Sequence, residues 1–252
     1  MTLPQRVAHI IRHGMSVLHP CVYGELGSVR AARDLADDLR REIALLCPDR
    51  DPNEVVGAFV ARIDDVRRLV ETDIDAAYDG DPAATSRMEV VMSYPGVYAV
   101  TIHRLAHELY TLKVPVIPRV MSELAHSKTG IDIHPGATIG RYFFIDHGTG
   151  IVVGETTVIG DYVKIYQGVT LGALSTRKGQ ALSGVKRHPT LKNRVTVYSG
   201  ASILGGDTVI GDDCIIGGNA FVTSSVPDRT RVSVESPSLT FRELSKTIWE
   251  KA

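Results

Sequence analysis

The apolar residues in the first half of the chain recur at the spacing of amphipathic helices. A run that begins at Asp51-Pro52 carries proline in its first turn, which is typical of a helix N-terminus. Behind it, apolar residues three, four and seven positions apart predict one face of a long helix: Val56, Phe59, Val60, Ile63, Val70 and Ile74. A similar stripe predicts a helix over 28–46, and a third helix is predicted after residues 94–96, Tyr-Pro-Gly. Pro115 and Pro118 leave room for only a short helix before residue 128.

From about residue 131 the helical period gives way to a period of six. The aliphatic positions are Ile133, Ile139, Ile145 and Ile151, then Val153, Ile159, Ile165 and Leu171, then Leu191, Val197 and Ile203, and finally Ile210, Ile216 and Val222. Small residues recur four positions after many of them: Ala137, Val163, Ala201, Cys214 and Ala220. This hexapeptide repeat predicts a parallel β-helix, in which each unit forms one face of a triangular prism and three units make a coil of about eighteen residues.

The change of period divides the chain into an α+β architecture of two parts. We predict an α-helical domain over 1–128 that contributes substrate and oligomer contacts, and a catalytic β-helix over 129–230. A segment rich in Gly, Ser and basic residues, 173–190, interrupts the repeat and is predicted to loop out of the prism. Residues 231–252 form a C-terminal segment in which Leu239 to Ala252 predict a short amphipathic helix.

Composition narrows the classes of partner. The formal net charge is −1, so the chain has no excess of positive charge that would favour binding to nucleic acid or to an anionic membrane surface. No apolar run approaches the ~20 residues of a membrane span. The cysteines, Cys21, Cys47 and Cys214, are odd in number and widely separated, which favours reduced thiols and predicts a cytoplasmic protein.

His147 is the first candidate for chemistry. An imidazole can deprotonate a hydroxyl at neutral pH, particularly where a carboxylate fixes its tautomer. Asp132 lies fifteen residues earlier, close to one coil of the predicted β-helix, and we therefore expect the two side chains to pair. The alternative interpretation of the same pattern is a surface histidine with no catalytic role.

A metal site is not predicted. The histidines in or beside the β-helix, His134, His147 and His188, are thirteen and forty-one positions apart, without the paired ligands on successive rungs that zinc sites of hexapeptide carbonic anhydrases need. No glycine-rich phosphate motif of the nucleotide enzymes is present either. Arg187 closes the excluded loop, where a guanidinium could grip a carboxylate with two parallel hydrogen bonds or simply face solvent.

Over about residues 70–227 the sequence resembles the serine O-acetyltransferases. The resemblance rests on residues 132–140, Asp-Ile-His-Pro-Gly-Ala-Thr-Ile-Gly, and on 146–156, Asp-His-Gly-Thr-Gly-Ile-Val-Val-Gly-Glu-Thr. Residues 167–172, Gln-Gly-Val-Thr-Leu-Gly, and 187–189, Arg-His-Pro, add to it. It implies a left-handed β-helix and transfer of an acetyl group from acetyl-CoA to the hydroxyl of L-serine, with no metal.

The resemblance also implies residue roles. His147 would be the general base and Asp132 its partner. Asp81 and Asp146 would hold the serine ammonium, and Arg187 and His188 its carboxylate. Acetyl-CoA would be bound along the prism by Gly172, Ala173, Ser199, Gly217 and Gly218. The family arrangement implies a homotrimer or a dimer of trimers, with L-cysteine as a competitive inhibitor.

The sequence departs from the family pattern in its excluded loop and its tail. The loop before Arg187 is longer than the family's usual Gly-rich version, and the chain does not end in the isoleucine with which family members plug cysteine synthase. We therefore do not predict a partnership with cysteine synthase. The alternative function is a hexapeptide acetyltransferase for homoserine or a sugar, and a scaffold or a metal-dependent hydratase are more distant alternatives. A sugar would need neither Asp81 nor Arg187, because only a zwitterionic acceptor requires both charges.

Overall fold

The computed structural model describes residues 1–23, 28–235 and 240. Helices come first along the chain: α1 Leu3–Leu18, α2 Pro20–Tyr23, α3 Ser28–Leu46, α4 Pro52–Gly80, α5 Arg87–Ser93, α6 Pro95–Thr111 and α7 Ile117–Thr129. The predicted start of the long helix is confirmed, since the Asp51 side chain caps α4 by accepting a hydrogen bond from the Asn53 N–H. Helix α7 ends at Thr129, and its C-cap, Gly130, has a φ of 71° and turns the chain into the β-helix.

Short parallel strands follow and form the three faces of a prism. Face A contains β1 Asp132–Ile133, β4 Val152–Val153, β7 Thr170–Gly172, β10 Ser202–Leu204 and β13 Phe221–Val222. Face B contains β2 Thr138–Ile139, β5 Val158–Ile159, β8 Thr190–Leu191 and β11 Val209–Ile210. Face C contains β3 Phe144–Asp146, β6 Lys164–Tyr166, β9 Thr196–Val197, β12 Ile215–Ile216 and β14 Arg231–Val232. The predicted parallel β-helix is confirmed, with about five turns over residues 132–232.

The core of the prism consists of the residues that the hexapeptide period marked. The aliphatic positions point inward and are buried, and so are the small residues four positions further on, such as Ala137, Val163 and Cys214. A second core lies among the helices and includes Phe59, Ile63 and Ile74 of α4. The prediction for Val60 was wrong, because its side chain is 48% exposed and lies outside the buried stripe of α4.

A buried ion pair joins the two parts of the chain. Arg104 of α6 donates from Nε and Nη2 to both carboxylate oxygens of Asp73 of α4, at 2.5 and 2.8 Å. The same guanidinium donates to the carbonyls of Ile139 and Gly140 in the first coil. Asp73 in turn accepts from the N–H of Phe143 at 3.0 Å. The helices are therefore fixed against the first coil of the β-helix.

The predicted excluded loop extends from residue 173 to 189 and contains a short 3₁₀ helix, Gly179–Leu182. Within the described residues, no helix combines the length and the apolar character that a membrane span requires. The short helix predicted from Leu239 to Ala252 lies outside the described residues, apart from Thr240.

Candidate active site

His147 projects from the prism because its coil is longer than the others at this edge. We call the edge where the chain passes from face C to face A edge CA. The inward residues Ile145 and Val153 on either side of it are eight positions apart, whereas the equivalent pairs in later coils, such as Ile165 and Leu171, are six apart. The extra residues fall in the turn of His147 and Gly148, which have φ values of 59° and 95°. The His147 side chain is 73% exposed as a result.

A pocket of about 380 Å³ opens beside His147. We call it the His147 pocket; its lining comes from the end of α4, the start of α6 and edge CA: Asp81, Ser93, Tyr94, Pro95, Gly96, Ile145, Asp146 and His147. Two candidate carboxylates, Asp81 and Asp146, therefore lie in the same pocket as the candidate base. The Asp146 Oδ1 is 3.9 Å from the His147 Nε2.

Asp81 is held as a carboxylate. Its Oδ2 accepts from the Tyr94 hydroxyl at 2.5 Å, and its Oδ1 accepts from the Ala83 N–H at 2.8 Å. These hydrogen bonds lower the pKa of Asp81. The same contact raises the pKa of Tyr94 to about 12, so the phenol remains a donor. The pocket thus presents a fixed negative charge suited to an ammonium group.

Lys164 connects the two carboxylate segments of the pocket. Its Nζ lies 3.1 Å from the Asp146 Oδ2 and donates to the Gly80 carbonyl, one residue before Asp81, at 3.1 Å. The ammonium also lies 4.5 Å from the ring centroid of Phe144. This lysine fixes Asp146 relative to the end of α4.

Arg187 and His188 lie together at a different edge, where the chain passes from face A to face B, which we call edge AB. The Thr156 hydroxyl accepts from the N–H groups of both residues, at 2.9 and 3.0 Å. The Thr156 N–H donates to the His188 Nδ1 at 3.1 Å, so the neutral ring carries its proton on Nε2. Burial, and then the neighbouring Arg187, lower the pKa of His188 to about 4. His188 is therefore a neutral donor.

The His188 ring requires a glycine beneath it. A Cβ on Gly154 would lie 2.0 Å from the His188 Cδ2 and 2.2 Å from its Nε2. The glycine of the Val-Val-Gly-Glu-Thr segment thus allows the ring to pack directly against the backbone of the neighbouring coil.

The Arg187 guanidinium forms an ion pair with the Glu155 Oε2. It also donates from Nη1 to the Leu182 carbonyl of the excluded loop at 3.2 Å. The other Glu155 oxygen, Oε1, accepts from the Tyr110 hydroxyl at 2.8 Å. A pocket of about 320 Å³ lies between this pair and the loop. Arg187 is therefore oriented by three segments of the chain.

The candidate acetyl-CoA residues also divide between the two edges. Gly172 ends β7 and Ala173 follows it, so both lie at edge AB. Ser199, Gly217 and Gly218 lie at edge CA, where a Cβ on Gly218 would lie 3.2 Å from the Ser199 carbonyl oxygen of the preceding coil. Each edge thus carries one group of candidate acceptor contacts and one group of candidate cofactor contacts.

Asp132 lies half-buried at the start of β1 on face A. Within the part of the chain that the structure describes, no ion pair of 4.0 Å or less joins Asp132 to His147. Asp146 is the carboxylate recorded at that distance from His147. The role of Asp132 as the partner of His147 remains a prediction.

Four residues that contact the candidate site were not singled out from the sequence: Tyr94, Tyr110, Glu155 and Lys164. Tyr94 and Tyr110 belong to the helical part, and no spacing rule relates them to a β-helix edge. Glu155 lies within the segment that carries the family resemblance, which was the one available signal. Within residues 1–23, 28–235 and 240, no group of His, Cys, Asp or Glu side chains is arranged to hold a metal ion.

A hexapeptide β-helix with an exposed histidine beside carboxylates defines the class of hexapeptide-repeat acyltransferases. No protein-family model matches the chain. Over 261 aligned positions it is 43% identical to a plasmid-encoded serine acetyltransferase of Synechococcus elongatus, covering 92% of this chain and 82% of that protein. It is 49% identical to the Bacillus subtilis serine acetyltransferase over 134 residues, which are 53% of this chain and 59% of that one.

Solved structures agree with these relatives. Serine acetyltransferase isoform 3 of Entamoeba histolytica, in complex with cysteine, superposes with a TM-score of 0.84 at 35% identity, covering 93% of this chain and 84% of that one. The Neisseria gonorrhoeae enzyme, in complex with serine, gives a TM-score of 0.64 at 28% identity, with 94% and 98% covered. The chain belongs to the serine acetyltransferase family. Its reaction is acetyl transfer from acetyl-CoA to L-serine, which gives O-acetylserine for cysteine biosynthesis.

Proposed function

We propose that serine is acetylated in a cleft between two protomers, where edge CA of one faces edge AB of the next. The division of the candidate residues between the two edges carries this proposal. Tyr94 touches Asp81 at the start of α6, and Tyr110 touches Glu155 near its end. Sixteen helical residues separate these tyrosines by about 24 Å. One protomer therefore holds its ammonium contacts and its carboxylate contacts too far apart for a single serine.

In this arrangement the acceptor is bound by matched charges. Asp81 and Asp146 hold the serine ammonium, and Arg187 and His188 of the neighbouring protomer hold its carboxylate. The Arg187 guanidinium supplies two parallel charged N–H donors to the serine carboxylate, and the neutral His188 donates to it from Nε2. A homotrimer, or a dimer of trimers, brings the two edges together in a closed ring of identical contacts.

His147 then acts as the general base. It takes the hydroxyl proton while the serine oxygen attacks the thioester carbonyl, and the imidazolium returns the proton to the departing thiolate as the carbon–sulfur bond breaks. The 73% exposure of the His147 side chain supports this role, because an acceptor hydroxyl and a leaving group can approach the ring. Asp132 and Asp146 are the carboxylates that would stabilise the imidazolium.

Acetyl-CoA would lie along the same cleft. Ser199, Gly217 and Gly218 follow His147 along edge CA, and Gly172 and Ala173 lie on the opposing edge AB. Their small side chains leave the backbone open to a long, narrow ligand. Strands stacked at about 4.8 Å place Gly218 three coils, or about 14 Å, from His147, a span that suits an extended pantetheine arm.

L-Cysteine should compete with serine at this site. The two amino acids share the ammonium and carboxylate and differ in one atom, oxygen against sulfur. The Entamoeba histolytica structure with cysteine and the Neisseria gonorrhoeae structure with serine support binding of both amino acids by this family.

Arg187→Ala tests the carboxylate contact. The change leaves the substrate carboxylate unpaired in a partly desolvated cleft, at a cost of about 2–4 kcal/mol, or roughly 30–1000-fold in affinity. We expect titrations of serine and cysteine to weaken in parallel, with acetyl-CoA affected much less. Arg177→Ala, in the same loop, is the matched control and should bind both amino acids normally. Unchanged serine affinity in Arg187→Ala would remove Arg187 from the site.

A further inference from the structure

One face of helix α6 points toward edge AB. His107 and Tyr110, three positions apart, both reach it. The His107 Nδ1 lies 2.8 Å from the Pro135 carbonyl, and the Tyr110 hydroxyl donates to the Glu155 Oε1 at 2.8 Å. The helical part of the chain thus makes a direct hydrogen bond to the carboxylate that pairs with Arg187.

Glu155 is held from two sides. Its Oε1 accepts from Tyr110 and its Oε2 pairs with Arg187. Burial would raise the pKa of Glu155, but the hydrogen bonds from Tyr110 and Arg187 outweigh burial and lower it. Each oxygen of the Glu155 carboxylate therefore has a partner, so loss of the partner of one oxygen would shift the other oxygen as well.

The orientation of the Arg187 guanidinium depends on this carboxylate. Binding of a substrate carboxylate by two parallel bonds requires the plane of the guanidinium to be fixed. Glu155 fixes one Nη atom, and the Leu182 carbonyl accepts from the other at 3.2 Å. Tyr110 donates to the other oxygen of the same carboxylate, so it contacts the group that orients the Arg187 guanidinium.

We propose that Tyr110 is a positioning residue for the amino-acid carboxylate, acting on Arg187 through Glu155. This inference rests on the proposed role of Arg187 as the carboxylate contact. Helix α6 would then serve two clefts, because its first residues line the His147 pocket in one cleft and its last turn orients the Arg187 of the same protomer in the other. Tyr110 should therefore affect acceptor affinity and leave the chemical step nearly unchanged.

The test is Tyr110→Phe, alone and in a Glu155→Ala background, with Tyr98→Phe on the same helix as the matched control. Loss of one hydrogen bond to a charged group should raise the KM for serine and the inhibition constant for cysteine together, about three- to tenfold. We expect kcat, the KM for acetyl-CoA and the melting temperature to remain near wild type. In the Glu155→Ala background the tyrosine change should add nothing further.

Three outcomes would overturn the inference. The first is an unchanged serine KM in Tyr110→Phe while Arg187→Ala still weakens serine, which would leave the proposed function intact. The second is an effect of Tyr110→Phe that persists in full without Glu155. The third is a parallel fall in kcat, acetyl-CoA affinity and melting temperature, which would indicate a merely structural tyrosine. If Arg187→Ala itself leaves serine affinity unchanged, the proposed function fails first.

Discussion

Replacement of Arg104 by methionine should uncouple the helices from the β-helix. The side chains of Arg104 and Asp73 are 4% and 3% exposed, so neither charge has access to water. Arg104→Met keeps most of the aliphatic volume but removes every donor of the guanidinium. It leaves the Asp73 carboxylate without its cationic partner, and the Ile139 and Gly140 carbonyls without their side-chain donor.

Removal of one partner of a buried ion pair costs about 3–5 kcal/mol, because the remaining charge stays desolvated and unpaired. For a chain of this size each 1 kcal/mol lowers the melting temperature by about 2–4 °C, so Arg104→Met should melt roughly 6–20 °C below wild type. The double variant Asp73→Leu with Arg104→Met removes both charges and should lose much less stability than the single change.

Differential scanning calorimetry and urea unfolding measure both effects. Arg62→Met is the matched control, because Arg62 also joins α4 to α6 through Glu108, but with its side chain 52% exposed. That variant should lose less than about 1 kcal/mol. If Arg104→Met lost no more stability than Arg62→Met, the reasoning would be contradicted, since Asp73 would then not be left as an unpaired buried charge.

Two further predictions concern the histidines. His147→Asn should lower turnover about 10²–10⁴-fold with an unchanged melting temperature, and a variant that keeps more than a tenth of wild-type turnover would exclude His147 as the base. His188 has a pKa of about 4 in the folded protein and an ordinary value near 6.5 when unfolded. Between these values the unfolded chain takes up a proton that the native state does not, so the free energy of unfolding should fall as the pH falls from about 6.5 to 4. Urea unfolding across this range should show a shallower fall for His188→Gln; a superimposable pH profile would argue against a buried neutral His188.

Much of the fold could be predicted because the β-helix encodes its register locally. Each coil needs an aliphatic residue every six positions and a small residue at the narrow corner, and positions such as Ile165 and Ala201 meet that need in the sequence itself. Helices α3, α4 and α6 were predicted by the same kind of local pattern. The Val60 prediction failed because the apolar residues of α4 span a wider face of the helix than the neighbouring helices cover.

The site could be predicted only in part, because its contacts come from packing between distant segments. The predicted pairing of Asp132 with His147 assumed a coil of about eighteen residues, close to their separation of fifteen. The first coil is longer, since Asp132 lies opposite Val152 on face A. Tyr94 and Lys164 reach the His147 pocket only because α4 and α6 are docked against the first coil. The sequence around Tyr94 or around Lys164 contains no local pattern that would identify either residue as a contact of the site.

The most direct test of the account is subunit complementation between His147→Asn and Arg187→Ala. Each variant alone should have little activity at serine concentrations well below the KM. If every cleft takes His147 from one protomer and Arg187 from the next, random trimers from equal co-expression should carry both wild-type residues in about a quarter of their clefts. We therefore predict thiol release from acetyl-CoA at about a quarter of the wild-type rate, with serine as acceptor. Activity no greater than that of the separate variants, in co-purified mixed oligomers, would contradict a cleft shared between protomers.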